Sequence, residues 1–297
     1  MLRRTLGDRV AVSAIGLGAM PLSIEGHPDE ARALATVHAA LDAGVTLLDT
    51  ADSYHPPGGD TGANELLIAR ALAAYGGSGA GRDDILVATK GGRGRSADGG
   101  WTVDGRPAHL RRAAEDSARR LGGGAIGLYQ LHKPDPAVPY AESLGAIREL
   151  VDAGTVRLAG ISNVDRAQIL LAREILGDAL VSVQNQYSPA VRDSEPELRL
   201  CAELGLAFLP WSPLGGISRS SLDGPSGRRA DPHFAAFHRV AATRGVSPQR
   251  VALAWLLARP GGHVLPIPGA SRPETARDSA LATELKLTAE ELAELGE

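Results

Sequence analysis

The chain has 297 residues, of which 43% are hydrophobic and 22% are charged, and its formal net charge is −4. This composition is typical of a globular protein with a large core, and it excludes a mainly disordered or fibrous chain. The slightly acidic balance argues against a nucleic-acid-binding surface, and no apolar run approaches the ~20 residues of a membrane span. A single cysteine, Cys201, rules out an internal disulfide and a cysteine zinc site.

The N-terminal residues predict a short β-hairpin. Segments 3–6 and 10–12 flank Gly7-Asp8, a dipeptide typical of a two-residue hairpin turn. We expect this hairpin to plug one end of the domain that follows. The basic residues at the start precede polar residues rather than a continuous apolar stretch, so the segment does not resemble a signal peptide. Together with the single cysteine, this predicts a cytoplasmic protein.

Short apolar segments then alternate with amphipathic helical patterns along nearly the whole chain. Gly44, Gly154 and Gly205 follow such helical patterns, at the position where a residue of left-handed conformation ends a helix. The predicted strands are 15–18, 45–49, 85–89, 126–131, 156–161, 180–184, 206–210 and 264–267.

The alternation of strands and helices predicts a parallel sheet. Eight such units predict an α/β fold of the (β/α)8 TIM-barrel type, with the N-terminal hairpin at its bottom. Because no linker separates two parts of the chain, we expect one domain over residues 1–297. The glycine-rich segments 91–105 and 213–233 follow the third and seventh strands. They are either loops over the active face of the barrel or ordinary surface loops.

Active-site residues of such barrels lie at the carboxyl ends of the strands. Asp49 ends the second predicted strand and Tyr54 follows it, while Lys90 and His132 follow the third and fourth strands. Taken singly, each has an ordinary explanation, as a helix cap, a loop aromatic, a solvated cation or a rim residue. A carboxylate, a phenol, an ammonium and an imidazole at one barrel mouth together indicate a catalytic site.

These four types of side chain suggest proton transfer to a carbonyl oxygen. A phenol with a pKa of ~10 donates poorly at neutral pH, and a nearby ammonium lowers that pKa. We therefore expect Lys90 to lower the pKa of Tyr54, with Asp49 orienting Lys90 and His132 hydrogen-bonding the reacting oxygen. The sequence supplies no matched nucleophile or metal cluster, so a hydride from a bound nicotinamide fits this chemistry.

Several further motifs occur around these four residues. They are Asp49-Thr50-Ala51-Asp52-Ser53-Tyr54, Asn64-Glu65, Ala88-Thr89-Lys90, Tyr129-Gln130-Leu131-His132-Lys133-Pro134-Asp135, Gly160-Ile161-Ser162-Asn163, Gln184-Asn185-Gln186-Tyr187, Trp211-Ser212-Pro213-Leu214 and Ile267-Pro268-Gly269. In content and order, these motifs resemble the signatures of the aldo-keto reductases over nearly the full chain. The resemblance implies NAD(P)H-dependent reduction of an aldehyde or ketone, without metal or flavin and with Tyr54 as general acid.

The resemblance also implies a set of cofactor-binding positions. At the nicotinamide end, these are Ser162, Asn163, Gln184 and a stacked Trp211, whose alternative role is packing in the barrel rim. Toward the pyrophosphate and adenosine, the implied positions are Ser212, Pro213, Leu214, Gly216, Gly269, Ala270, Ser271, Arg272, Arg277, Asp278 and Ser279.

The adenosine end departs from the family pattern. Many members carry a Lys and a later Arg for the 2′-phosphate, followed by Glu-Asn for adenine. The matching positions here hold Gly269, Thr275, Asp278 and Ser279. Arg272 and Arg277 suit a phosphate, or they are cations on a solvated helix face. We expect NADPH as the cofactor, with NADH as the alternative.

A substrate pocket is expected beside Tyr54, with Met20, His55 and Trp101 in its wall. Alternatively, Trp101 only pins its glycine-rich loop. The expected partner is a small carbonyl compound rather than a nucleic acid or a membrane, and the sequence predicts no oligomeric state. An alternative function in the same family is that of channel-associated β subunits, which bind cofactor with little turnover. The complete set of four catalytic residues favours the enzyme.

Overall fold

A computed structural model describes residues 1–77, 79, 81, 84–96, 98–215 and 234–296. The strands are β1 Arg3–Leu6, β2 Val10–Ser13, β3 Leu17–Gly18, β4 Leu47–Asp49, β5 Leu86–Gly91, β6 Arg93–Arg95, β7 Trp101–Val103, β8 Ile126–Leu131, β9 Val156–Ser162, β10 Leu180–Gln184 and β11 Ala207–Phe208. The α-helices are α1 Glu30–Asp42, α2 Ala63–Ala74, α3 Pro107–Arg120, α4 Tyr140–Asp152, α5 Arg166–Leu176, α6 Glu195–Glu203, α7 Ala235–Arg244, α8 Pro248–Leu257, α9 Pro273–Leu281 and α10 Ala289–Glu294.

Seven of the strands form one curled parallel sheet in the order β11-β10-β9-β8-β5-β4-β3. Helices connect its strands, so the fold is α/β as predicted. The observed β8 and β10 have the predicted bounds. In contrast, β5 continues past the predicted end at residue 89 as far as Gly91. Lys90 therefore lies inside the sheet, where it pairs with Gln130 of β8.

The eighth predicted strand, 264–267, is not a continuous strand, and segment 264–269 makes only isolated bridges to the two sheet edges, Val264 to Phe208 and Gly269 to Gly18. On one side, the Leu265 N–H donates to the Phe208 carbonyl at 2.8 Å. On the other side, Pro266 and Pro268 face β3, and their carbonyls accept from Gly16 and Gly18 at 2.9 and 3.0 Å. Because proline has no N–H, this side of the ladder has no reciprocal donors, which explains why no continuous strand forms.

The N-terminal hairpin is present as a separate antiparallel pair, β1 with β2. Gly7 and Asp8 have φ of 51° and 55°, the left-handed conformation that a tight hairpin turn of this kind requires at both central residues. Leu6 and Val12 are fully buried in a cluster with side chains of the central sheet, such as Leu128. The hairpin therefore closes one end of the sheet's interior, as predicted.

The helix ends follow the sequence pattern. Gly44, Gly154 and Gly205 come two residues after α1, α4 and α6, and have φ of 86°, 74° and 67°. At these values an L side chain is strained, so glycine ends each helix and redirects the chain into the next strand. No helix in the described part of the chain is both long and apolar enough to cross a membrane.

Candidate active site

The four candidate catalytic side chains meet at the carboxyl ends of three adjacent strands. Asp49 ends β4, Tyr54 lies in the loop after it, Lys90 lies in β5, and His132 directly follows β8. Their exposed fractions are 2%, 6%, 0% and 4% respectively. Because β4, β5 and β8 are neighbours in a parallel sheet, residues far apart in the sequence come together in one buried cluster.

The Lys90 ammonium has an acceptor for each of its three hydrogens. Nζ lies 2.6 Å from Asp49 Oδ1, 2.9 Å from the Thr50 carbonyl oxygen and 3.0 Å from the Tyr54 hydroxyl oxygen. A compact ammonium can satisfy three acceptors grouped around one point, whereas a planar guanidinium is larger and presents its donors as a fork. The geometry therefore selects lysine at this position.

Asp49 is equally well satisfied. Its second oxygen, Oδ2, accepts from Gln184 Nε2 at 2.9 Å and from Gln130 Nε2 at 3.2 Å. A buried ion pair is tolerated when hydrogen bonds saturate both partners, as they do here. Gln130 had no assigned role in the sequence analysis. Its signal was the alternation Leu128, Gln130, His132, which directs these side chains to one face of β8.

The Tyr54 hydroxyl is arranged as a proton donor. Its oxygen accepts the hydrogen bond from Lys90, so its own proton is free to point into the cleft. Burial is the largest influence and raises the pKa of Tyr54, and the attraction of Lys90 opposes this shift without cancelling it. Lys90 therefore lowers the pKa of Tyr54 as expected, but the pKa stays above its ordinary value because burial has the larger effect.

His132 lies edge-on to Tyr54, with ring centroids 5.7 Å apart and planes at 85°. Its Nδ1 is 3.4 Å from the Ser53 hydroxyl, which leaves Nε2 as the nitrogen available to a ligand. Burial first, and then the positive charges of Lys90 and Arg93, hold the pKa of His132 well below its usual value. The imidazole is therefore neutral at physiological pH and has one N–H to donate.

Hydrogen bonds that the sequence analysis did not foresee hold the loop of Tyr54 in place. The Ser23 hydroxyl donates to the Tyr54 carbonyl oxygen at 2.7 Å. Asn64 of α2 donates to Ser23 Oγ at 2.5 Å and accepts from the Thr50 hydroxyl at 2.5 Å. All of these groups are buried, so the backbone on both sides of Tyr54 is fixed.

A cleft opens beside the catalytic cluster, and most of the implied nicotinamide residues line it. Its wall contains Gly18, Met20, Pro21, Asp49, Tyr54, Arg93, Trp101, His132, Ser162, Asn163, Gln184, Trp211, Ser212, Ile267 and Gly269. Asn163 and Ser212 have φ of 58° and 47°, which are uncommon for residues other than glycine. Such strain is concentrated at functional sites, and here it occurs at two positions in the wall of the cleft.

The polar groups of this wall have unused bonding capacity. Asn163 Nδ2 donates to the His132 carbonyl at 2.9 Å, and the Gln184 amide donates to Asp49, which orients both side chains. Neither amide oxygen accepts a hydrogen bond from a residue that the structure describes. The indole N–H of Trp211 is buried without a partner in that same part of the chain.

The remaining implied cofactor positions are more scattered. Pro213 and Leu214 follow Ser212 without lining the cleft, and Gly216 lies outside the described residues. Ala270 and Ser279 are buried, and Ser271 is half-buried. Asp278 is already engaged, because Oδ1 lies 2.5 Å from Arg250 and Oδ2 accepts from Ser247. The Asp278 carboxylate thus braces α8 against α9.

Arg272 and Arg277 are different, because both are exposed and neither forms an ion pair with a described residue. Arg272 immediately precedes α9 and Arg277 lies within this helix. Their guanidinium groups are therefore free for an external anion, which agrees with either of the roles considered from the sequence.

Two of the three implied substrate residues line the cleft and the third does not. Met20 and Trp101 line the cleft. His55 is buried outside this lining, and its Nδ1 lies 2.9 Å from the Pro56 carbonyl oxygen. Arg93 lines the cleft and was missed, because its position depends on how the loop after β5 folds back. Among the described residues, no three His, Cys, Asp or Glu side chains are grouped to hold a metal ion.

Comparisons with known proteins agree with this geometry. A model of the Aldo/keto reductase family matches residues 14–297. An uncharacterized oxidoreductase of Schizosaccharomyces pombe is 33% identical over 296 residues, which are 98% of this chain and 88% of that protein.

Solved structures show the same relationship. The glycerol dehydrogenase AKR11B4 from Gluconobacter oxydans has a TM-score of 0.80 and 29% identity, with 99% of this chain and 93% of that chain covered. The aldo/keto reductase from Klebsiella pneumoniae in complex with NADP and acetate has a TM-score of 0.76 and 28% identity, with 98% and 92% covered. The family model covers nearly the whole chain, and the relatives agree with it. The chain therefore belongs to the aldo/keto reductase family, and Asp49, Tyr54, Lys90 and His132 are its buried polar cluster.

Proposed function

We propose that this protein reduces an aldehyde or ketone to an alcohol, with NADPH as hydride donor and Tyr54 as general acid. One observation carries the proposal. The Tyr54 hydroxyl oxygen lies 3.0 Å from the buried Lys90 ammonium, at the wall of a cleft that also contains His132. Membership of a family of carbonyl-reducing oxidoreductases supports the same conclusion.

The residues present fit a nicotinamide. The oxygens of Asn163 and Gln184 are acceptors suited to a carboxamide NH2 group, and Ser162 lies between them in the cleft. Trp211 also lines this cleft and offers an apolar ring there. Ser162, Asn163, Gln184 and Trp211 would hold the nicotinamide, which would supply the hydride for carbonyl reduction. NADP and NADPH complexes of related enzymes support this choice of cofactor.

Residues of the chain itself donate the proton and stabilise the charge that is left behind. Tyr54 donates its proton to the carbonyl oxygen as negative charge develops there, and Lys90 stabilises the resulting phenolate. Asp49 keeps Lys90 charged and fixed throughout. His132, neutral and with Nε2 toward the cleft, donates a hydrogen bond that orients the carbonyl oxygen. For oxidation of an alcohol, the same groups act in reverse.

The preference for NADPH over NADH is part of this proposal. Arg272 and Arg277 are exposed cations without ion-pair partners in the described part of the chain, and Arg forks suit a 2′-phosphate. Asp278 is bound to Arg250 and is therefore not expected to contact adenine.

We also infer that the sheet closes into an eight-unit barrel and that residues 1–297 form one domain. The backbone bonds of segment 264–268 to both sheet edges support closure. One apolar cluster joins Leu6 of the hairpin, Leu128 of β8 and Leu265, which supports a common interior for these parts of the chain. A cytoplasmic location is a proposal that rests on the single cysteine.

The test is cofactor oxidation with a panel of aromatic aldehydes, pyridoxal and small ketones, using wild type and Tyr54→Phe. We expect the variant to lose about 10²–10⁴-fold in kcat, because general acid catalysis contributes that much. NADPH binding, measured by nucleotide fluorescence, should stay within about twofold. Tyr140→Phe is the matched control, because its hydroxyl is buried outside the cleft and has no partner among the described residues.

Two outcomes would overturn the proposal. Equal turnover by wild type and Tyr54→Phe would remove Tyr54 as the acid. If wild type and both variants bind NADPH tightly and reduce no carbonyl in the panel, the alternative of a regulatory, cofactor-binding subunit replaces the enzyme.

A further inference from the structure

A small hairpin, β6 with β7, stands beside the cleft and carries an unusual cluster of side chains. Trp101 contacts two arginines, with the guanidinium carbons of Arg93 and Arg95 each 4.3 Å from its ring centroid. In the antiparallel register, Arg95 pairs with Trp101 and Arg93 with Val103. The two guanidinium groups therefore pack on the same indole, where each gains a cation–π interaction.

The two arginines differ in what neutralises them. The side chain of Arg95 is only 4% exposed and forms an ion pair with Glu25. Arg95 and Glu25 thus anchor the hairpin to the loop after β3. The Arg93 guanidinium has no hydrogen bond or ion pair to any residue that the structure describes, and it is this arginine that lines the cleft. Its charge has no counter-ion in the described part of the chain.

The surroundings of Arg93 make this unpaired charge significant. Its guanidinium is half-buried, and burial lowers the pKa of Arg93 from its usual value. Its charge also acts on both Tyr54 and His132, the groups that face the reacting oxygen. The other charged groups near Tyr54, Lys90 and Asp49, are bonded to each other. A partly desolvated cation without a partner, beside the reaction centre, is a ready site for an anion.

The position of Arg93 separates it from the proposed cofactor residues. It follows β5, whereas Ser162, Gln184 and Trp211 lie at or beyond the ends of β9, β10 and β11. In the sheet, β8 stands between β5 and those strands. Arg93 shares its side of the cleft with Trp101, where the substrate rather than the cofactor is expected.

We propose that Arg93 binds an anionic group of the substrate, a carboxylate or a phosphate, and that the site therefore prefers aldehydes or ketones that carry such a group. Trp101 and Arg95 hold the guanidinium so that its fork faces the cleft. Arg93 is a specificity-determining residue in this account and takes no part in the proton transfer. The inference rests on the proposed carbonyl reduction.

The test compares charged substrates with neutral ones of similar shape. The probes are 3- and 4-carboxybenzaldehyde against their methyl esters, and 4-formylphenyl phosphate against 4-methoxybenzaldehyde. Wild type should favour the anionic member of at least one pair by about tenfold or more in kcat/KM, the size expected of a charge-assisted hydrogen bond. Arg93→Gln should remove this preference, mainly through KM, because the anionic aldehydes lose a charged contact that the neutral aldehydes do not make. Whether the carboxylate or the phosphate pairs respond identifies the anion.

A matched control and a binding measurement accompany the kinetics. Arg112→Gln removes the same charge from an exposed position on α3 and should leave the preference unchanged. Calorimetry should show that the NADP+ complex binds benzoate more tightly than benzamide in wild type but not in Arg93→Gln.

Three results would overturn the inference and leave the proposed function standing. They are wild-type turnover without preference for the anionic probes, an equal loss by Arg93→Gln on charged and neutral aldehydes, and a weakening of NADPH binding by about tenfold in Arg93→Gln. The last result would assign the arginine to the cofactor. Failure to reduce any aldehyde, with NADPH still bound, would instead count against the proposed function itself.

Discussion

Positive charge is handled in opposite ways at the floor and at the rim of this cleft. At the floor, Lys90 is fully buried and donates to three acceptors, and both oxygens of Asp49 accept hydrogen bonds. At the rim, Arg93 is half-buried and has no ion-pair partner among the described residues. A deeply buried charge needs a hydrogen-bond partner for each of its polar atoms. Lys90 is therefore fixed in one arrangement, which suits a single chemical step. The Arg93 charge at the rim has no such partners among the described residues, so it can bind an anionic group of a ligand and select for it.

The largest expected effect follows from changing the floor cation. Lys90→Arg should lower kcat for reduction by about 100-fold or more, because a guanidinium cannot replace the three-way contact with Asp49, Thr50 and Tyr54. Steady-state kinetics with NADPH and an aldehyde measure this loss. Lys286→Arg is the control, since Lys286 is exposed and should tolerate the change.

Should Lys90→Arg fail to fold, Lys90→Met provides a second variant that is similar in length and uncharged. Thermal unfolding monitored by circular dichroism distinguishes a folded, inactive variant from an unfolded one. Near-normal reduction by a folded Lys90→Arg protein would contradict the claim that catalysis requires an ammonium at this position.

Asp49→Asn tests whether the buried pair is a coupled unit. The substitution leaves a buried ammonium without its counter-ion, which typically costs about 3–5 kcal/mol of unfolding free energy. Urea unfolding measures this loss, with the exposed Asp60→Asn as control. A loss below about 1 kcal/mol, within the range of surface pairs, would contradict the saturated floor.

Asp52 lies in the loop after β4 and, unlike Asp49, is not paired with Lys90. Burial first, and then the nearby Glu65, raise the pKa of Asp52 to about 8. The folded state therefore binds more protons than the unfolded state between about pH 4 and pH 8, and stability falls as pH rises through this window. Asp52→Asn should remove this slope, which we expect to amount to at least ~1 kcal/mol. Denaturant unfolding of wild type and variant at pH 5, 7 and 9 measures the difference. Parallel pH profiles for the two proteins would contradict the raised pKa.

The smallest expected effect concerns Arg272 and Arg277, the exposed arginines at α9. Replacing Arg272 and Arg277 together by Gln should weaken NADPH binding by about tenfold, because each contact of an exposed cation with a phosphate is worth only about 0.7 kcal/mol. NADH binding should change by less than about twofold. Fluorescence titration with both nucleotides measures the two affinities. Equal changes for NADPH and NADH would place the arginines outside a 2′-phosphate site.

Much of the floor was predictable from the sequence, and much of the rim was not. Asp49, Lys90 and His132 mark strand ends, and parallel pairing brings such ends together whatever the details of packing. The direction of the Tyr54 pKa shift depends on the balance between burial and Lys90, which the sequence does not reveal.

The remaining differences also have physical reasons. The role of Arg93 depends on a loop that pairs with itself and folds back over Trp101. His55 lies outside the cleft wall because the loop after Tyr54 turns it into the protein, toward the Pro56 carbonyl. The apolar pattern predicts a strand over 264–267. Pro266 and Pro268 are the signal against a continuous strand, because proline has no N–H to donate to the neighbouring strand.

The most direct test of the central claim is the pH dependence of both reaction directions in the wild-type enzyme. Tyr54 must carry its proton for reduction and must have lost it for oxidation. Burial raises the pKa of Tyr54, and the pKa of His132 lies well below its usual value. Reduction should therefore stay constant through neutral pH and fall only above about pH 10, whereas oxidation should rise toward the same pH. Identical profiles in the two directions would contradict Tyr54 as the shared acid and base.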